Sequence, residues 1–120
     1  MKIRTRHLGS VVCLDVQGRL VATDEDDRLK EKVSHLLFEN HRKIVLNLEE
    51  VSQVDTTGLT ALVAIRHAVD RSGGQIKLLN LPPRVHDLLV VTKLITLFEI
   101  VDAEADIERA FDGQGCALNP

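Results

Sequence analysis

The sequence predicts a single α/β domain with a mixed, mostly parallel sheet of about five strands and about four helices packed against it. Short apolar runs typical of strands alternate along the chain with longer segments whose apolar residues recur at helical spacing. The chain has 120 residues, of which 44% are hydrophobic and 28% charged, and these values suit one hydrophobic core. We expect residues 1–112 to form this domain and residues 113–120 to form a flexible C-terminal tail.

The first third of the chain predicts a β-hairpin followed by a helix. Lys2–Leu8 and Val11–Val16 have strand-like patterns, and Gly9-Ser10 between them suits a two-residue turn. Thr23 is the expected N-cap of the helix, because four acidic residues follow it and favour a helix N-terminus. This acidic cluster lacks the glycine and the distal glutamate of a calcium loop, so we interpret it as a helix start rather than a metal site.

The rest of the chain alternates between strands and helices. Strands are predicted over Lys43–Leu48, Gln75–Leu79 and Leu97–Val101. Helices are predicted from about Thr57 to Arg71, from Pro82-Pro83, and from Asp102 with Ile107, Ala110 and Phe111 facing inward. The helix from Thr57 is apolar on more than one side, which predicts burial on more than one side.

Composition argues against several classes of protein. With three Phe, no Tyr, no Trp and a net charge of −3, the chain offers little for stacking on bases or for pairing with phosphates. No nucleic-acid partner is therefore expected. No window approaches the 18 apolar residues of a membrane span, the N-terminus lacks the apolar region of a signal peptide, and Cys13 and Cys116 do not suggest a disulfide framework. We predict a cytoplasmic protein that does not insert into a membrane.

The sequence does not favour an enzyme. Its five histidines have no regular metal-ligand spacing, and no phosphate-binding or dinucleotide-binding motif is present. His86 is the least unfavourable candidate for a phosphohistidine carrier, and Cys13 is interpreted as an apolar filler on a strand face. We therefore predict no catalytic residues, no metal and no cofactor.

One segment, Asp55-Thr56-Thr57-Gly58, combines an acid, two hydroxyls and a glycine at the junction between a strand and the most apolar helix. Asp55, Thr56 or Thr57 could each cap the helix, but one cap needs only one residue. Gly58 is a poor helix former in a first turn and suggests that another group approaches the backbone closely. The residues alone leave a capping role and a functional role equally open.

The segment Ile44–Leu59 closely resembles the signature of the STAS domain, in particular that of the bacterial anti-sigma factor antagonists. In that family an apolar strand and a loop precede Asp-Ser-Ser/Thr-Gly-Leu at a helix start. The resemblance extends over nearly the whole chain, since Gly18-Arg19-Leu20, Gly73-Gly74 and Leu97-Phe98-Glu99-Ile100 also match the family pattern. It implies a single STAS-like domain.

The resemblance further implies a switch controlled by phosphorylation. In the family, the unmodified antagonist binds an anti-sigma factor of the serine-kinase type, which phosphorylates a hydroxyl of the motif, and a PP2C-type phosphatase reverses this. The implied site is Thr57, with Thr56 as the alternative. The implied partner-binding residues are Asp55, Thr56, Thr57, Gly58, Leu59 and Thr60, and the loop Arg19–Thr23 lies nearby in the predicted fold.

A second interpretation of the resemblance remains open. The chain could be a STAS scaffold or an accessory subunit of a stress-sensing complex or a lipid transporter, without control of a sigma factor. The sequence leaves open the sigma factor, the upstream signal and the oligomeric state, and it offers no phosphate loop that would support nucleotide binding.

Overall fold

The structure is a computed structural model that describes residues 2–20, 25–107 and 111. Its strands are β1 (Lys2–Leu8), β2 (Val11–Leu20), β3 (Lys43–Val54), β4 (Gln75–Leu79) and β5 (Glu99–Val101). Its α-helices are α1 (Glu25–Phe38), α2 (Thr56–Arg71) and α3 (Pro83–Val91), with short 3-10 helices at Leu94–Leu97 and Glu104–Asp106. The predicted α/β class and the predicted alternation of strands and helices are confirmed.

The five strands form one sheet in the order β1-β2-β3-β4-β5. β1 pairs with β2 in antiparallel fashion, and every other neighbouring pair is parallel. Each of α1, α2 and α3 connects two parallel strands, and the right-handed rule for such connections places all three on the same face of the sheet. Their N-termini therefore lie at the carboxyl ends of the strands.

The main core fills the space between the sheet and these helices. Alternate side chains of the central strands, such as Leu14 and Leu46, pack there against Leu29 of α1 and Leu62 of α2. These four leucines are completely buried. The buried stripe of α2 is broad, as its apolar composition predicts, but Ala64 is exposed and gives the helix one side that faces solvent.

A smaller core covers the opposite face of the sheet. Cys13 and Leu79 lie on this face, and Ile107 and Phe111 from the C-terminal part of the chain pack over it. The predicted last helix is described only in part: a 3-10 helix precedes Ile107, and residues 108–110, which include the predicted inward-facing Ala110, lie outside the described residues. Three α-helices are described over their length where about four were predicted.

Two strands extend further than the sequence predicts. β2 continues to Leu20 and β3 to Val54, whereas their apolar runs end at Val16 and Leu48. The added residues are mostly polar, and they pair with each other across two shifts of register between β2 and β3. β5 begins later than predicted, because Leu94–Leu97 forms a 3-10 helix. The predicted N-cap Thr23 and the predicted tail lie outside the described residues.

A charged network is built on the sheet face opposite the helices, around Asp15 in β2. Arg6 in β1 donates from Nε to Asp15 Oδ2 at 2.6 Å and from Nη2 to Oδ1 at 2.8 Å, and Asn47 in β3 donates to Oδ1 at 2.8 Å. Arg6 also forms an ion pair with Glu104. Partial burial alone would raise the pKa of Asp15, but the hydrogen bonds and the charge of Arg6 outweigh it and hold this pKa below its ordinary value.

This depressed pKa predicts a loss of stability in acid. Below the ordinary carboxyl pKa, the unfolded chain takes up a proton at Asp15 more readily than the folded one, so the contribution of Asp15 is present above that pKa and is lost as pH falls through the folded pKa. Relative to Asp15→Asn, we expect the native chain to be about 2 kcal/mol more stable at neutral pH. Urea unfolding of both proteins between about pH 5 and pH 2 should show this difference shrinking. A difference that does not change with pH would contradict the prediction.

Candidate functional site

The start of α2 is capped by Asp55. Its backbone is extended, with φ −109° and ψ −175°, and its Oδ1 accepts a hydrogen bond from the backbone N–H of Gly58 at 2.9 Å. The backbone N–H of Leu59 donates to the carbonyl of Asp55 at 2.9 Å, which closes the first turn. Of the three capping candidates in the sequence, Asp55 therefore has this role.

Thr56 and Thr57 are the first two residues of the helix, and both are exposed. Neither hydroxyl forms a hydrogen bond with any residue that the structure describes. Thr60, one turn further along, is also exposed, and its Oγ1 donates to the carbonyl of Thr56 at 2.9 Å. Asp55 thus caps the helix, while Thr56 and Thr57 are exposed to a partner or an enzyme.

Position 58 has no room for a side chain, because the end of β2 lies against it. A Cβ atom at this position would lie 2.1 Å from the carbonyl oxygen of Leu20. The same oxygen accepts a hydrogen bond from the backbone N–H of Asp55 at 3.3 Å, which holds the strand end against the helix start. The expectation of a close approach to the backbone is confirmed, and the approaching group belongs to the chain itself rather than to a ligand.

The structure separates the residues of the predicted partner-binding set. Gly58 and Leu59 are buried, with Leu59 only 4% exposed, so they support the surface rather than form it. Thr56, Thr57 and Thr60 are exposed and Asp55 is half-buried. The nearby loop predicted over Arg19–Thr23 is wrong for its first two residues, because Arg19 and Leu20 pair with β3 as the end of β2. Arg19 is exposed and Leu20 is buried, while residues 21–23 lie outside the described residues. Partner binding by this set stays a prediction.

A groove that the sequence pattern does not predict lies next to this helix start. It has a volume of about 460 Å³ and lies between the last residues of β3 and the first turns of α3. Its apolar lining includes Val51, Val54, Val85 and Leu88. The sequence carries little sign of it, because its two walls are about thirty positions apart and the residues that follow Leu48 are mostly polar, as in a loop. We call this feature the β3–α3 groove.

Arg84 lies on the rim of the β3–α3 groove and is exposed. Among the described residues, its guanidinium has neither an ion pair nor a hydrogen bond. Gln53 is also exposed and lines the groove from the β3 side. An exposed cation beside an apolar lining makes the β3–α3 groove suitable for contact with another protein.

The other candidates from the sequence do not gather into a site. His86 is exposed on α3, with Nδ1 3.8 Å from Asp87 Oδ1. Within the described ranges, no three His, Cys, Asp or Glu side chains come together in a way that could hold a metal ion. Cys13 is completely buried, and burial together with the charge of Asp15 raises the pKa of its thiol to about 11. This thiol is protonated at neutral pH, which agrees with its interpretation as a filler.

Similar structures come from proteins with different roles. The candidate anti-sigma factor antagonist tm1081 from Thermotoga maritima is 24% identical and superposes with a TM-score of 0.82 over 90% of this chain and 92% of that one. The Bacillus anti-sigma factor antagonist SpoIIAA in its phosphorylated form is 19% identical, with a TM-score of 0.70 over 91% of this chain and 99% of that one. The murine anion transporter Slc26a9 is 17% identical, with a TM-score of 0.75 over 90% of this chain but only 18% of that one.

These likenesses establish a shared fold, and the Slc26a9 comparison shows that the fold also occurs as a small part of a large transporter. In the part of this chain that the structure describes, no helix has both the length and the apolar character needed to cross a membrane. The family profile of the STAS domain matches residues 2–107. It thus covers every described strand and α-helix together with the Asp55–Thr60 helix start, and the chain belongs to the STAS domain family.

Proposed function

We propose that this protein is an anti-sigma factor antagonist that binds an anti-sigma factor of the serine-kinase type and is switched off by phosphorylation of Thr57. The observation that carries the proposal is that Thr57, the second residue of α2, is exposed and forms no side-chain hydrogen bond within the described part of the chain, while Asp55 supplies the helix cap. In this role the protein is a binding partner in the cytoplasm rather than an enzyme, and it needs no cofactor.

The electrostatics of the helix start suit such a switch. The N-terminus of α2 favours negative charge, so a phosphate there gains about 0.3–1 kcal/mol from the helix dipole and leaves the fold intact. The phosphate carries about −1.5 to −2 charges and is attached two residues from Asp55. In the free protein water screens this charge, whereas in an interface the charge would be desolvated and close to another negative group. The modification therefore opposes binding more than it opposes folding.

Thr57 is the preferred site and Thr56 the alternative. Both hydroxyls are exposed, so accessibility does not distinguish them. The resemblance of the motif to Asp-Ser-Ser/Thr-Gly-Leu favours the second of the pair, which is Thr57. A PP2C-type phosphatase would restore the unmodified, binding-competent form.

The experiment that tests this proposal is intact-mass spectrometry after incubation with ATP and candidate serine-kinase anti-sigma factors, followed by peptide mapping. We expect one added phosphate that maps to Thr57, and no added phosphate on Thr57→Ala. Thr56→Ala is the matched control and should be phosphorylated like the native chain. Modification that persists on Thr57→Ala but disappears on Thr56→Ala would assign the alternative site.

The second candidate function is the STAS scaffold or accessory subunit of a stress-sensing complex or a lipid transporter. The likeness to part of Slc26a9 favours it, since that protein is itself a transporter. A folded chain that no candidate kinase binds or phosphorylates would support this alternative over the antagonist.

A further inference from the structure

We infer that the β3–α3 groove is a second contact site for the anti-sigma factor, which inserts an apolar side chain into the groove and a neighbouring carboxylate against Arg84. This inference rests on the proposed function and adds a recognition element that is separate from the phosphorylated hydroxyl. Three features support it: the position of the groove, its lining, and the exposed guanidinium of Arg84, which has no ion pair or hydrogen bond with any residue of the described ranges.

One end of the groove lies close enough to Thr57 for a single partner to contact both. A protein interface of standard size buries about 800 Å² on each partner, equivalent to a disc of roughly 16 Å radius. Val54 lines the groove and precedes Thr57 by three positions, so their Cα atoms are at most about 11 Å apart. An interface centred on Thr57 is therefore wide enough to reach this part of the groove.

The lining of the groove determines what the partner must supply there. Val51 and Val85 are almost completely buried, at 4% and 3% exposure, while Val54 and Leu88 are half-buried. A partner that closed over an unfilled space lined by these side chains would leave a cavity and lose contacts on both sides. One large apolar side chain, such as Leu, Ile or Phe, would remove that loss by filling part of the groove.

Arg84 determines the charge that the partner must bring. Covering its guanidinium without a counter-charge would leave a desolvated, unpaired cation, which opposes binding. A carboxylate of the partner can accept two parallel hydrogen bonds from the guanidinium, an arrangement that is specific in direction as well as in charge. The expected partner segment thus carries an Asp or Glu next to its apolar anchor.

The variant Arg84→Glu tests this inference. Arg84 is the second residue of α3 and is exposed, so a glutamate there suits the helix N-terminus and should not disturb folding. We expect its affinity for the kinase identified by the phosphorylation assay to fall by about tenfold or more, measured by titration calorimetry on the unmodified proteins. Leu88→Ala, which removes apolar surface from the groove, should weaken binding by at least about threefold.

Arg71→Glu is the control matched in charge, because Arg71 is exposed at the other end of α2, away from Thr57. It should bind within about twofold of the native chain. Replacing the partner's paired carboxylate by lysine should restore much of the affinity for Arg84→Glu.

The outcomes distinguish this inference from the proposed function. If the native chain is bound and phosphorylated, but Arg84→Glu and Leu88→Ala bind as it does, the groove is not a contact site and the proposed function stands. If no candidate kinase binds or phosphorylates the native chain, the proposed function and this inference both fail. Melting temperatures of all variants would show whether any loss of affinity reflects unfolding instead.

Discussion

Replacing Gly58 by alanine is expected to destabilise the domain by about 3 kcal/mol, because the new Cβ would overlap a backbone atom. The added Cβ would lie 2.1 Å from the carbonyl oxygen of Leu20 and 3.0 Å from its carbonyl carbon. The side chain of Leu20 is completely buried, so the end of β2 cannot move away without disturbing the core. Alanine is intrinsically the better helix former by about 1 kcal/mol. The steric overlap opposes this gain and should exceed it.

Urea unfolding monitored by circular dichroism would measure this effect. Thr56→Ala is a suitable control, since it changes an exposed neighbour in the same helical turn and should alter the stability by less than about 0.5 kcal/mol. Gly73→Ala provides a second comparison, because Gly73 has a φ of +79° but no neighbouring atom within 4 Å of the added Cβ. Its cost should be about 1 kcal/mol from backbone conformation alone. Equal stability of Gly58→Ala and Thr56→Ala would contradict this prediction, and would mean that the end of β2 moves away from the new Cβ atom at little cost in free energy.

The parts of the fold that the sequence predicts well are those with local signals. Gly9-Ser10 marks the hairpin turn, and Ser72-Gly73-Gly74 marks the end of α2, where Gly73 adopts a positive φ. The starts of β3 and β4 follow from apolar runs whose residues lie in the core. These features depend on a few consecutive residues, so a pattern along the chain is sufficient to find them.

The parts that the sequence does not predict depend on contacts between distant segments. The extension of β3 through Val51–Val54 pairs with the end of β2 across a change of register, and its polar residues resemble those of a loop. The choice of Asp55 as the cap is equally non-local, because three neighbouring residues have suitable side chains. In the fold, the backbone N–H of Asp55 is held by the carbonyl of Leu20, some thirty-five positions earlier. The β3–α3 groove follows from this same extension.

The sequence alone is compatible with both a structural and a functional reason for Gly58. The sequence shows that Gly58 is unusual in a first helical turn, but it does not say which group approaches it. The structure identifies the carbonyl of Leu20, so the glycine has a sufficient structural cause. The functional interpretation of the motif consequently depends on Thr56 and Thr57, whose hydroxyls form no hydrogen bond among the residues that the structure describes.

Phosphorylation of Thr57 is expected to weaken binding to the anti-sigma factor by about a hundredfold, which corresponds to about 2.7 kcal/mol. Desolvation of the phosphate and its repulsion by Asp55 are together sufficient for a penalty of this size. Thr57→Glu introduces one negative charge and fewer acceptor oxygens, so it should weaken binding by about tenfold. Thr57→Ala should bind the anti-sigma factor like the unmodified chain, and ATP should not weaken this binding.

Titration calorimetry with the kinase would measure these affinities, and Thr56→Glu is the matched control. Thr56 is the first residue of α2 and is also exposed, so the two variants differ only in the position of the charge. If Thr57 is the switch, the loss of affinity should be greater for Thr57→Glu than for Thr56→Glu. An affinity of Thr57→Glu equal to that of the native chain would exclude the electrostatic mechanism.

The stability of the same variants separates a switch in the interface from a change of the fold. Glutamate at the second position of α2 interacts favourably with the helix dipole, and its side chain enters solvent rather than the core. Thr57→Glu should therefore unfold within about 0.5 kcal/mol of the native chain, even though it binds more weakly. If Thr57→Glu keeps its stability but binds more weakly, the added charge acts at the contact surface and not on the fold. A marked loss of stability in Thr57→Glu would instead mean that the added charge acts by disrupting the helix start.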